Sequence, residues 1–185
     1  MNFVIPEIPQ ACNNKSARDI KWVKTVNDGI SSSAYLGQDA RLAQLPIFCL
    51  EINQKFRNSL MQVPIGDIIL LHQRLEKQSV RCFTHLVTPI DNNLIQHPYP
   101  TTQEGWCGRL VKVIAMTENL ISKSIPVSQT MWPGMGFTGP MRDLSHQMSR
   151  VFEIPVDQQL PKLQDDIWDK FHSHGEFLRY AGKET

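Results

Sequence analysis

No stretch of this sequence comes near twenty consecutive apolar residues, which excludes a membrane-spanning helix. The N-terminal Met1 to Ile5 lacks a basic flank, and Pro6 and Pro9 interrupt it before a signal-peptide length is reached. The four cysteines, Cys12, Cys49, Cys82 and Cys107, never form the close pairs that zinc sites use. Spaced so widely, they read as reduced, half-buried thiols of a cytoplasmic protein. Neither sign of charge dominates: nineteen Lys and Arg against eighteen Asp and Glu leave +1, so any nucleic-acid face has to be local. Also missing are a dinucleotide-binding glycine fingerprint, a phosphate loop, a Gly-x-Ser-x-Gly elbow, a His-Glu-x-x-His pair and an internal repeat. No catalytic residue, metal ligand or cofactor is therefore assigned.

What is present is a chain of 185 residues with 41% hydrophobic and 20% charged side chains, enough for one globular domain, or one domain with an added segment. Its centre is Gly66-Asp67-Ile68-Ile69-Leu70-Leu71-His72-Gln73. Four aliphatic residues after a Gly-Asp turn suit a strand buried on both faces. After a short polar break, Val80 to Thr88 alternates in a two-sided run and reads as its antiparallel hairpin partner.

Residues 1–17, with two prolines and the polar Asn13-Asn14-Lys15-Ser16, read as an extended arm. Asp19 to Val26 reads as a first strand in which Ile20, Trp22 and the apolar stem of Lys24 alternate with Val23 and charged neighbours. A serine-rich turn over 27–33 leads into an expected short helix from Ala34 to Gln44. Pro46 to Ile52 suits a strand, or a buried loop. Phe56, Leu60 and Val63 mark a one-sided helix, ended by Pro64 and Gly66. The stretch 91–108 is read as a long irregular excursion, followed by a strand over 109–116. A second irregular stretch, 122–140, holds Trp132-Pro133-Gly134-Met135-Gly136-Phe137. Met141, Leu144, Met148, Val151 and Phe152 recur at helical spacing, and so do Leu160, Leu163, Ile167, Trp168 and Phe171. Residues 153–185 are thus a C-terminal helical extension packed on the same domain, and the polar tail from Gly182 frays. The fold class is α+β, a curved, mainly antiparallel sheet or small open β-barrel with flanking helices.

The order of a tryptophan-bearing strand, helix, Gly-Asp, apolar strand ending in His72-Gln73 and a Thr84-His85-Leu86-Val87 strand resembles the PUA-like superfamily, in particular its EVE and YTH branches, over roughly residues 18–152. The resemblance implies a small open barrel that accepts a flipped, modified base of DNA or RNA between aromatic walls, in a restriction or phage-defence setting beside a partner nuclease. The base-pocket candidates are Trp22, Tyr35, Trp106, Trp132 and Phe137; Tyr35, Trp132 and Phe137 fall where YTH-type domains carry aromatics. Stacking contributes about 1 to 3 kcal/mol per ring and extrusion of a base costs a few kcal/mol, so two or three rings are needed. Large aromatics are usually buried for packing, and for any single one of these rings that is the leading explanation.

Lys21, Lys24, Arg81, Arg109, Lys112 and Arg142 lie at element starts where phosphates are met, with Lys24, Arg81 and Arg109 the chosen phosphate-binding set; each is also an ordinary solvated charge. An alternative is a metal-dependent nuclease or other hydrolase using His72 and His85 with Asp67 or Glu76. His172-Ser173-His174 resembles a metal pair but sits where a helix end favours histidine. A protein-interaction module is the third reading, with the aromatics and C-terminal helix as the interface.

Overall fold

In chain order the strands are β1 (Ile20–Val26), β2 (Ile47–Asn53), β3 (Ile68–Arg74), β4 (Arg81–Pro89), β5 (Ile95–Gln96), β6 (Trp106–Thr117), β7 (Ile125–Pro126), β8 (Met141–Asp143) and β9 (Gly175–Phe177). Two α-helices, α1 (Arg57–Met61) and α2 (Val156–His174), accompany them. This computed structural model describes residues 7–26, 47–74, 81–96, 98, 104–117, 124–130, 141–144 and 155–177, and the architecture below is theirs. The expected helix from Ala34 to Gln44, together with Met148, Val151, Phe152 and the polar tail, lies outside them.

The sheet runs β2-β6-β4-β3-β1-β8 and curls into an open half-barrel. Ile68, Ile69, Leu70 and Leu71 are all fully buried, so β3 is covered on both faces, as an uninterrupted aliphatic run requires. β4 pairs antiparallel with β3 from Ile69↔Val87 to Arg74↔Arg81. A register shift between Leu71 and His72 sets Leu71 opposite His85 and His72 opposite Phe83, with Thr84 the extra residue. β1 joins the other side of β3 in parallel, with Ile20 opposite Ile68 and Lys24 opposite Leu71. The sheet is therefore mixed.

Two hydrophobic clusters divide the side chains by face. One holds Trp22, Val26, Phe48, Leu50, Ile52, Ile69, Leu71, Val87, Val113, Met116 and Met141, with Leu60 and Val63 from around α1. Residues of both outer strands of the path, β2 and β8, meet in that cluster, which puts it on the inside of the curl. Helix α1 packs against β2, β6 and β8 and so spans between those outer strands. The other cluster holds Ile20, Val23, Ile68, Leu70, Phe83, Leu86, Ile114, Ile125 and Leu144 and is covered by Leu163, Ile167 and Phe171 of α2. That is the outer face, sealed by the one-sided helix that its leucine, isoleucine and phenylalanine spacing announces.

Several boundaries differ from the sequence reading. β6 begins at Trp106 rather than at Arg109, because Trp106, Cys107 and Gly108 pair with Asn53, Ile52 and Glu51 of β2. Gly108 permits this approach: a Cβ there would lie 2.5 Å from Cys49 Sγ and 3.1 Å from the Leu50 carbonyl oxygen. The stretch 91–108, read as an irregular excursion, contains a short strand, with Ile95 and Gln96 pairing onto Gly108 and Cys107. The helical spacing of Met141 and Leu144 belongs to a strand: Lys24↔Met141 and Trp22↔Asp143 tie β8 to β1, and the Leu144 amide donates to the Lys21 carbonyl at 2.8 Å. Residues three apart share a face on a helix but oppose on a strand, and Met141 faces inward while Leu144 faces outward. The N-terminal arm coils into two 3₁₀ turns, Gln10–Cys12 and Ala17–Asp19, instead of running extended. It is held by Lys112 Nζ, which donates to the Cys12 carbonyl at 3.3 Å and to Asn13 Oδ1 at 2.9 Å. No helix among the described residues is long and apolar enough to cross a membrane.

Candidate functional site

Along β1 the residues Trp22, Lys24 and Val26 alternate inward, and Lys24 is carried with them into the interior, where it is only 3% exposed. Among the described residues its Nζ reaches a single acceptor, the Thr25 carbonyl, at 3.5 Å. Burial pushes its pKa down to about 8, against a weaker opposing pull from the Glu51 carboxylate. Across the register from Lys24 and Leu71 lies His85, fully buried with its ring 6.2 Å from that of Phe48.

Gln73 completes this inner polar cluster. It sits opposite Val26 in β1 and Cys82 in β4, and it is fully buried. Its Nε2 donates to Thr84 Oγ1, and the Thr84 hydroxyl lies 2.9 Å from His85 Nδ1. A threonine hydroxyl that has accepted from the amide donates onward to Nδ1, which places the imidazole proton on Nε2. Among the described residues Gln73 Oε1 has no hydrogen-bond partner. Thr117 also carries a buried hydroxyl without a partner among the described residues, but of the two Gln73 is the one joined to a cluster of polar side chains inside the curl. A buried acceptor left unsatisfied costs about 1–3 kcal/mol, and a buried amine that no carboxylate hydrogen-bonds costs more. The inner face thus holds an obligate donor and an unspent acceptor on neighbouring strands, framed by Trp22, Leu71, Phe48 and Met141.

The remaining candidates fall elsewhere. Trp22 belongs to the inner cluster, 8% exposed, and its Nε1–H donates to Asp67 Oδ2 at 3.1 Å. Trp106 is half-buried at the start of β6, opposite Asn53. Ile69, Val87 and Val113 bring Trp22 level with a point seven residues farther along β6. At about 3.3 Å per residue, roughly 23 Å of strand separates the two indoles, so they do not face each other. Tyr35, Trp132 and Phe137 lie outside the described residues, in the segments that leave β1 after Val26 and enter β8 at Met141.

Of the phosphate candidates, Arg109 is fully buried. Its Nη1 donates to the carbonyls of Leu60 at 3.0 Å and Val63 at 2.7 Å, its Nη2 to Asn92 Oδ1 at 2.7 Å, and its Nε to the Asp91 carbonyl. It caps the end of α1 and ties down the turn after β4, with its guanidinium spent on the protein itself. Lys24 is interior, as above. Arg81 is exposed at the first residue of β4, level with Arg74, and is the member of the set that solvent reaches.

His72 and His85 sit on neighbouring strands but point to opposite faces. His72 packs its ring 5.7 Å from Phe83 of the outer cluster and lies 3.5 Å from Thr25 Oγ1, whereas His85 faces Phe48 inside. Burial, reinforced by the Arg81 charge, pushes the His72 pKa down to about 4, so its ring is neutral at physiological pH. Asp67, proposed as their carboxylate, is occupied by Lys21 Nζ at 2.8 Å and by Trp22; Glu76 lies outside the described residues. The two histidines accordingly do not form an acid and base pair. His172 stacks on Phe177 at 4.2 Å, with Trp168 edge-on at 5.7 Å, and His174 Nδ1–H donates to the Lys170 carbonyl at the helix end. Among the described residues no group of three His, Cys, Asp or Glu side chains is placed to hold a metal ion. All four cysteines are fully buried rather than half-buried, and burial pushes each thiol up, away from the reactive thiolate.

Gln73 and Thr84 escaped the sequence reading. The available signal was a polar residue at inward parity in an apolar strand, and Lys24 displays the same signal between Trp22 and Val26. No family model, curated protein or solved structure matches this chain.

Proposed function

We propose that this chain is a nucleic-acid recognition module of the PUA-like kind, which takes one flipped, modified base against the inner face of its half-barrel. The observation that carries the reading is the polar cluster of Lys24, Gln73, Thr84 and His85 among the apolar side chains inside the curl, with Gln73 Oε1 unspent among the described residues. A packed interior gains nothing from such a group, whereas a bound heterocycle supplies its missing partner. Tyr35, Trp132 and Phe137 are the stacking candidates, since their segments adjoin by chain the ends of β1 and β8 next to Lys24 and Met141. Arg81 is the phosphate contact in this reading, and one exposed arginine on a chain of net charge +1 gives modest, salt-sensitive affinity.

Fluorescence anisotropy with short labelled DNA and RNA strands, carrying a central methylated or hydroxymethylated base or its plain counterpart, tests the proposal. At least one modified strand binds tenfold or more tightly than its plain counterpart, and Trp132→Ala abolishes the difference. Equal, purely salt-dependent affinity for every strand ends the base-reading idea.

A further inference from the structure

Lys24 and Gln73 have complementary, fixed hydrogen-bonding characters. Among the described residues the amine is a donor with one long contact at 3.5 Å, and the amide oxygen is an acceptor with none, while Nε2 is committed to Thr84. Val26, two residues after Lys24 on the same inward row, is the register partner of Gln73. Lys24 therefore lies diagonal to Gln73 on neighbouring strands, within the span two long side chains bridge together. Resting on the base-reading proposal above, we propose that Lys24 and Gln73 form a specificity pair that reads the lactam edge of the base, a ring N–H beside a carbonyl as on uracil- and guanine-type bases, in preference to the amidine edge of cytosine- and adenine-type bases.

Both edges offer one donor and one acceptor, and three features favour the lactam. Its ring N–H is more acidic than an exocyclic amino group and is the stronger donor to Gln73 Oε1. Its carbonyl oxygen gathers the partial negative charge that an amine in an apolar surrounding stabilises best. Amidine bases are basic instead, and a cation held among Trp22, Leu71 and Met141 opposes any positive charge they gather. His85 joins the arrangement at one remove, holding the Thr84 hydroxyl that orients the Gln73 amide. It is a positioning residue.

The test uses base pairs that carry the same modification and differ at the reading edge. Strands of one sequence carry 5-hydroxymethyluracil or 5-hydroxymethylcytosine at the centre, and a second set carries thymine or 5-methylcytosine. Affinities are measured by anisotropy with the full chain. The lactam member of each set binds at least tenfold more tightly, Lys24→Met reduces that ratio to about twofold or less, and Gln73→Leu does the same. Circular dichroism confirms that each variant is folded, and two variants at separate positions guard against one misfolding. Base-dependent binding that favours the cytosine members, or a ratio untouched by either folded variant, overturns the specificity pair while leaving the recognition module standing. Absence of base-dependent binding in every strand overturns both.

Discussion

Arg109 and Lys24 are both cations buried on the sheet, Arg109 beside α1 and Lys24 on β1, yet the protein treats them in opposite ways. Around Arg109 the carbonyls of Leu60, Val63 and Asp91 and the Asn92 side chain supply an acceptor for each of its three nitrogens. Around Lys24 the described residues offer one carbonyl at 3.5 Å and the weaker pull of the Glu51 carboxylate, and the neighbouring polar atom with capacity to spare, Gln73 Oε1, is not bonded to it. A satisfied buried charge rigidifies what surrounds it, and here it fixes the end of α1 to the turn after β4. An unsatisfied one only lowers stability, and natural proteins tolerate such local conflicts chiefly where function requires them. Burial alone does not mark a site; burial without partners does.

Removing each cation in turn tests that contrast. Arg109→Met strips four acceptors of their donor and is expected to destabilise by about 3–5 kcal/mol, a drop in Tm on the order of 10 °C for a chain of this length. An unchanged Tm breaks the comparison at its satisfied end. Lys24→Met has the opposite sign: at pH 7 it is expected to stabilise by roughly 2–3 kcal/mol, since it deletes a buried charge and leaves no acceptor stranded. The folded amine titrates near 8 and the unfolded one near 10.5. Between those values the unfolded chain binds the extra proton, so wild-type stability rises with pH through this window relative to the variant. Denaturant midpoints of both proteins at pH 7 and pH 10 therefore converge as pH rises; a constant gap places Lys24 in a solvated setting instead. The smallest effect is expected at the exposed pair of Arg18 and Asp165, 2.6 Å apart with both side chains about half exposed. Asp165→Asn costs less than about 1 kcal/mol, and a larger loss in a thermal melt shows that this surface pair carries more of the fold than its exposure implies.

Much of the architecture was legible in the sequence. The aliphatic run of β3, its partner β4, the tryptophan-bearing β1 and the one-sided α2 all follow from local periodicity, because each buries enough apolar surface to impose its pattern. The parallel pairing of β1 with β3 was not, since it joins residues such as Ile20 and Ile68 through contacts that no local pattern encodes. β8 was misread for a related reason: three residues with mixed character become a strand only because β1 offers them an edge. For the site, Trp22 and His85 were visible as residue types, whereas the charges of Lys24 and Arg109 argued for solvent. Sequence reports that a side chain is cationic; the parity of the strand around it, Trp22 and Val26 for Lys24 and Cys107 and Val111 for Arg109, decides whether it turns inward.

The parallel union of β1 and β3 also orders events during folding. β3 and β4 are joined by a short connection and can zip as a hairpin, while β1 must find β3 across residues 27–67, which include β2 and α1, a slower and entropically costlier closure. Only when β1 docks is the Lys24 amine drawn out of water. Because β1 lies between β3 and the outer strand β8, its departure would take that edge of the sheet with it and bare the inner polar cluster.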